Sequence, residues 1–183
     1  MHTSIQKAVN KRLQEANRLF KEMCYDGFMP DVVTYNCLID GLCKNCKIDR
    51  ALEIFRQMHR DGCAPNKVTY NSFIRYYSTV NEVDKAVEML NKMEENNISP
   101  TCSSYTPIVH ALCEGGRLEE GSKVLIEMVV KDSVPRSYTY KLVTDALRKA
   151  GKDGLPAEVC RKIELGIEAR DRHVKRMKGM AYT

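Results

Sequence analysis

The sequence predicts an all-α protein, an α-solenoid of stacked helix-turn-helix units, and three observations carry that prediction. Tyr35, Tyr70, Tyr105 and Tyr140 stand 35 residues apart, and Pro30, Pro65, Pro100 and Pro135 keep the same step. So do Met23, Met58, Met93 and Met128, the column Phe20, Phe55, Leu90 and Leu125, and the small-residue column Ala16, Ala51, Ala86 and Gly121. Within each period, two apolar stripes at helical spacing are separated by a polar break. One step shared by unrelated residue types marks a tandem array, in which each unit buries its apolar face against the next.

The units follow from this register. Residues 1–31 read as a repeat missing its start, 32–66, 67–101 and 102–136 as full repeats, 137–171 as a divergent last one, and 172–183 as a basic tail. Two helices per unit give about ten in all. In the first full repeat, Tyr35, Leu38, Ile39 and Leu42 form one stripe at i, i+3, i+4 and i+7. Ala51, Phe55 and Met58 form a second stripe, after the break Lys44-Asn45-Cys46-Lys47. That second helix ends near Asp61-Gly62, where glycine can take a left-handed cap, and Pro65 stops any continuation. The alanine column is small because paired helices must approach closely there. In the last unit this column falls on Pro156 with Ala157 beside it, so a one-residue shift is expected.

Composition excludes several classes. With 43% hydrophobic and 29% charged residues the chain can build a core. No apolar run approaches the roughly 20 residues of a membrane span, so a soluble chain without a membrane partner is expected. The eight cysteines suit burial as free thiols in a reducing compartment better than a disulfide scaffold. Residues 1–13 are basic and free of acids, as organellar presequences are, and they also align with the repeat.

The words Val33-Thr34-Tyr35-Asn36, Val68-Thr69-Tyr70-Asn71 and Tyr138-Thr139-Tyr140-Lys141 resemble the pentatricopeptide repeat (PPR) family. Gly41-Leu42-Cys43-Lys44 and the Met-x-x-x-Gly endings at Met23 to Gly27 and Met58 to Gly62 agree with it. The uniform step resembles the plain class of the family. The tetratricopeptide relative has a shorter period and a tryptophan signature, and this chain has no Trp. The resemblance implies a plant organellar protein, in a mitochondrion or alternatively a chloroplast. Its inner face of first helices would bind single-stranded RNA at about one base per repeat, without catalysis or cofactor.

In that family the residue after the repeat tyrosine and the last residue of the repeat read the base, while the residue two before the tyrosine packs against it. Carried over, these are Asn36 with Asn66 and the wall Val33, then Asn71 with Thr101 and Val68, then Thr106 with Arg136. The first pair implies a pyrimidine, cytosine most, and the second leans the same way. Thr106 leans to purine, but Arg136 offers no acceptor. Tyr138 and Lys141 in the fourth unit lie outside this code. Three or four repeats discriminate at most roughly 250 sequences at one base each. An alternative function is therefore a structural subunit of a larger organellar ribonucleoprotein such as a mitochondrial ribosome. Ribosomal RNA, ribosomal proteins or further PPR repeats would then be its partners.

Charge points to the C-terminal end. Of the net charge of +5, most comes from 161–183, leaving the first 160 residues nearly neutral. Arg170, Arg172, Lys175, Arg176 and Lys178 are the phosphate-contact candidates. No metal site is expected: Cys43-x-x-Cys46 lacks a second ligand pair, and Cys43 matches Cys113 two repeats on. The four histidines are scattered, and no nucleophilic triad, paired carboxylates or phosphate loop is evident.

Overall fold

The computed structural model describes the backbone of residues 2–152 and 154–180, and the side chains of 11–152, 154–157, 159–169 and 172. Among these residues there are α-helices and no strands. The helices are α1 (His2–Tyr25), α2 (Val32–Lys44), α3 (Ile48–Arg60), α4 (Lys67–Thr79), α5 (Val83–Glu95), α6 (Cys102–Glu114), α7 (Leu118–Val130), α8 (Ser137–Lys149) and α9 (Ala157–Met180). Each of α2 to α8 has 13 residues, so the 35-residue step in sequence becomes a step in space.

Two left-handed residues per repeat set this regularity. The turn inside each hairpin places Cys46, Asn81, Gly116 and Gly151 at φ of 55°, 59°, 76° and 62°. The turn between repeats does the same at Gly27, Gly62, Asn97 and Asp132, with φ of 82°, 69°, 59° and 56°. Glycine adopts this conformation without strain and Asn or Asp tolerates it, which is why the Met-x-x-x-Gly ending survives as Asn and Asp further on.

First helices pack on first helices, α2 on α4, α4 on α6 and α6 on α8, while α5 packs on α6 and α7 on α8. Elements that approach one another most closely from repeat to repeat form the inner side of a curved stack. The inner face is therefore built from α2, α4, α6 and α8. Behind it runs one continuous core. Tyr35, Tyr70 and Tyr105 are buried between helices, with Ala51 and Ala86 at the close approach within each pair and Met58, Met93 and Met128 below them.

The two ends of the chain depart from the regular repeat. Residues 2–25 form one helix, and the described residues hold nine helices, close to the ten or so expected. Lys11 stands 35 residues before Cys46, and as a good helix former it lets α1 run through the position where later repeats turn. The shift expected at Pro156 does not occur in the core: Ile163, one step after Met128, is fully buried. What moves is the start of α9, which begins after Pro156, a residue suited to a helix entry. Helix α9 runs on to Met180, so the last repeat and the basic tail share one helix.

Helix α9 docks on α7. Lys162 pairs with Asp132 at 3.1 Å, and Gly166 lies against Val134 so closely that a Cβ would stand 2.6 Å from its Cγ2. No helix of the described residues is long and apolar enough to cross a membrane.

Candidate nucleic-acid interface

The residues expected to read or pack against bases, with those at the same register positions in the other repeats, fall in three rows along the inner face. The outer row is Val33, Val68, Ser103 and Tyr138, all exposed; Val33 is 61% and Val68 54% accessible. The next row is Asn36, Asn71, Thr106 and Lys141, each in the second turn of its helix. The third row is Asp31, Asn66, Thr101 and Arg136, and each of these is the N-cap of the following first helix. Both expected reading residues of a repeat are thus held by helix geometry, one on the helix and one at the start of the next.

Asn36 and Asn66 come together. Asn36 Nδ2 donates to Asn66 Oδ1 at 3.1 Å, and the Thr69 hydroxyl donates to Asn36 Oδ1 at 2.6 Å. Asn66 also caps α4, accepting from the backbone N–H of Val68 at 2.9 Å and of Thr69 at 3.3 Å. The capping box closes where Thr69 Oγ1 accepts the Asn66 N–H at 3.0 Å. Asn36 is only 8% exposed, so this pair sits at the floor of the face with Val33 standing above it. At the start of the row, Asp31 caps α2, and the Thr34 N–H and hydroxyl hold its carboxyl below the usual range.

The later repeats differ. Thr101 caps α6 in a box with Ser104, and no bond joins it to Asn71, whose Oδ1 is buried without a partner. Thr106 lies 3.6 Å from Cys102 Sγ. Arg136 is exposed and makes no side-chain cap bond, so it does not meet Thr106 in a polar contact. At the fourth position His110 Nε2 lies 3.3 Å from Thr139 Oγ1, and its ring meets Tyr138 edge-on at 5.5 Å. Sequence reasoning passed over Thr69, Thr139 and His110. The available signal for Thr69 was the spacing Asn66-x-x-Thr69, which reads as a capping box.

Of the C-terminal cations, Arg172 is exposed; Arg170, Lys175, Arg176 and Lys178 lie outside the described side chains. On the inner face itself, Lys44 is paired with Asp40, and Arg148 with Asp145. Cys43 is buried in the core, where desolvation pushes its thiol up to about 12, while Cys46 is exposed at its turn. These are different environments, and the described residues contain no group of three or more side chains fit to hold a metal ion.

Comparison with known proteins places these rows in context. The PPR repeat family model matches residues 8–44, 30–75 and 65–114, and the PPR repeat model matches 103–133. A pentatricopeptide repeat-containing protein of Arabidopsis thaliana is 61% identical over 51 residues, which is 28% of this chain and 11% of that protein. Among solved structures, maize PPR10 superposes with a TM-score of 0.66 at 23% identity, over 91% of this chain and 26% of its own. PPR10 in complex with an 18-nt psaJ RNA element gives 0.64 at 27% identity, over 83% and 22%. The PPR domain of Arabidopsis thaliana protein-only RNase P 1 in complex with tRNA gives 0.66 at 21% identity, over 98% and 92%. The chain therefore spans a small fraction of the length of several of these relatives.

Proposed function

We propose, from the premise that this chain belongs to the PPR repeat family, that its inner face binds single-stranded RNA without chemistry of its own. The observation that carries the reading is the juxtaposition of Val33, an exposed apolar wall, with the Asn36–Asn66 pair at the floor beside it. An unpaired base can rest its face on such a wall and meet amides with its Watson–Crick edge, at about one base per repeat. The similarity to PPR10, solved in complex with an 18-nt psaJ RNA element, supports RNA binding. Asn36 with Asn66 would read one pyrimidine, Asn71 with Thr101 a second, and Thr106 with Arg136 a weakly defined third. Family membership supports a mitochondrial or plastid location and a part in RNA processing, stability or translation.

The test is binding of the full chain to short single-stranded RNAs of varied base, across a salt series. Affinity should depend on base identity, and Asn36→Ala with Asn66→Ala should remove the preference for pyrimidine while sparing most of the salt-dependent affinity. A second reading is favoured by Arg136 and Lys141, which replace the acceptor-bearing residues of the last units. Under it the chain is a subunit of an organellar ribonucleoprotein, gripping RNA by shape and by Arg172 and its neighbouring cations. Binding that ignores base identity and disappears on removing 172–183 would select that account.

A further inference from the structure

A carboxamide reads a base only when its oxygen and nitrogen ends are told apart, because the two have nearly one shape and opposite hydrogen-bonding sense. At Asn36 a chain of bonds starting from a helix terminus does this. The first-turn N–H groups of Val68 and Thr69 can only donate, so the atom of Asn66 that they meet at 2.9 and 3.3 Å is its oxygen. That oxygen requires a donor from Asn36, and Nδ2 lies 3.1 Å away. The oxygen end of Asn36 is then turned to Thr69. Thr69 Oγ1 already accepts the Asn66 N–H at 3.0 Å, and its proton faces Asn36 Oδ1 at 2.6 Å and, more distantly, Asn66 Oδ1 at 3.3 Å, so the shorter bond goes to Asn36.

We propose that Thr69, a residue of the following repeat, is a positioning residue that locks the Asn36 amide so that the reading pair offers N–H donors to a base. This rests on the RNA-binding reading above. In the locked state the Asn66 oxygen and one acceptor site of Asn36 are occupied. Asn66 Nδ2 has no partner among the described residues, and Asn36 Nδ2 keeps its second N–H. Adjacent donors suit cytosine, whose N3 and O2 are adjacent acceptors. They suit adenine poorly, because the N1 acceptor of adenine is flanked by its own amino donor. The second repeat lacks the lock. Thr101 replaces Asn66, and the hydroxyl of Ser104, in place of Thr69, faces Met93 Sδ at 3.9 Å. Asn71 Oδ1 is left buried and unpaired. Two asparagines in one row thus differ in what fixes them, and the difference lies in the next repeat.

The experiment compares the binding of the full chain to eight-nucleotide oligocytidine and oligoadenosine, read by fluorescence anisotropy. Homopolymers remove any question of register. Thr69→Val should lower the cytidine-to-adenosine affinity ratio by about fivefold, the worth of one hydrogen bond, and Thr69→Ser should keep it. A role in capping alone would weaken both RNAs equally and leave the ratio unchanged, which would overturn the proposal. A ratio lost in Thr69→Ser as fully as in Thr69→Val would also overturn it. A gain-of-lock variant, Thr101→Asn with Ser104→Thr, leaves the first lock untouched and should raise the ratio by a similar factor. An unchanged ratio there counts against the proposal even if Thr69→Val fails to fold. Should the unaltered chain bind neither RNA, or both equally, the RNA-reading function itself falls and the proposal with it. Loss of preference in Asn36→Ala with retention in Thr69→Val defeats the proposal alone.

Discussion

Tyr35, Tyr70 and Tyr105 repeat in the sequence because each fills the same buried slot, and burial changes their acid–base behaviour. Desolvation pushes the Tyr105 phenol from its ordinary 10.0 up to about 12, and raises Tyr35 as well, where the hydroxyl donates to Asp61. A folded-state pKa above the unfolded one means that the native state holds the proton longer. The associated stability is complete below pH 10 and is lost as pH rises from about 10 to 12. The urea midpoint of the chain should therefore fall steeply between these values. Tyr105→Phe should show a shallower fall, measured as the difference in midpoint between pH 8 and pH 11. An equally steep fall in that variant would remove Tyr105 from the explanation. At the same scale, the polarity of Asn36 depends on Thr69, a residue one repeat away. That dependence was not legible from the repeat words, because adjacency across a repeat boundary is a property of the stacking.

At the level of elements, the two left-handed turns govern where each helix starts and stops. Most positions use Gly, Asn or Asp, but Cys46 holds φ of 55° with a full side chain exposed to solvent. Left-handed backbone costs an L-residue with a Cβ about 1 kcal/mol or somewhat more, a cost that glycine avoids in the folded state. Cys46→Gly should raise stability by about 1 kcal/mol, read as a higher urea midpoint with unchanged slope. It also dismantles the Cys43-x-x-Cys46 pair, so unchanged RNA binding in that variant would fit a packing role for Cys43. Helix α1 shows the converse: with Lys11 at the turn position the chain keeps its helical path. Helix α9 shows how a register can survive a displaced start. Ile163 occupies the methionine slot although the helix begins late, because burial of a side chain fixes phase more strongly than the position of the first turn.

For the whole molecule, stability comes from neighbour-to-neighbour contacts along the stack. Phe73 in α4 is fully buried and meets Phe55 of the preceding repeat at 5.2 Å between ring centroids. Phe73→Ala should cost about 3–5 kcal/mol and act at one seam. Unfolding should then lose its single cooperative step, with amides of α2 exchanging before those of α7 in hydrogen-exchange measurements. A uniform loss of protection along the chain would instead mark one indivisible core. Ion pairs across the same seams, such as Arg117 with Asp84 at 2.9 Å and Lys152 with Glu119 at 2.9 Å, are exposed. Solvent screens them, and they add little to stability.

The sequence by itself determined the all-helical repeat architecture, the identity of the buried columns and the rows proposed to contact RNA. It could do so because a fixed period forces each residue type into one recurring environment. Tertiary structure alone decided which members of those rows meet. Asn36 engages Asn66 and Thr69, Asn71 engages neither of its counterparts, and His110 turns to Thr139 and Tyr138. Those pairings depend on sub-ångström stacking of one helix on the next, and on which hydroxyl a neighbouring cap leaves able to donate. Periodicity carries no record of either.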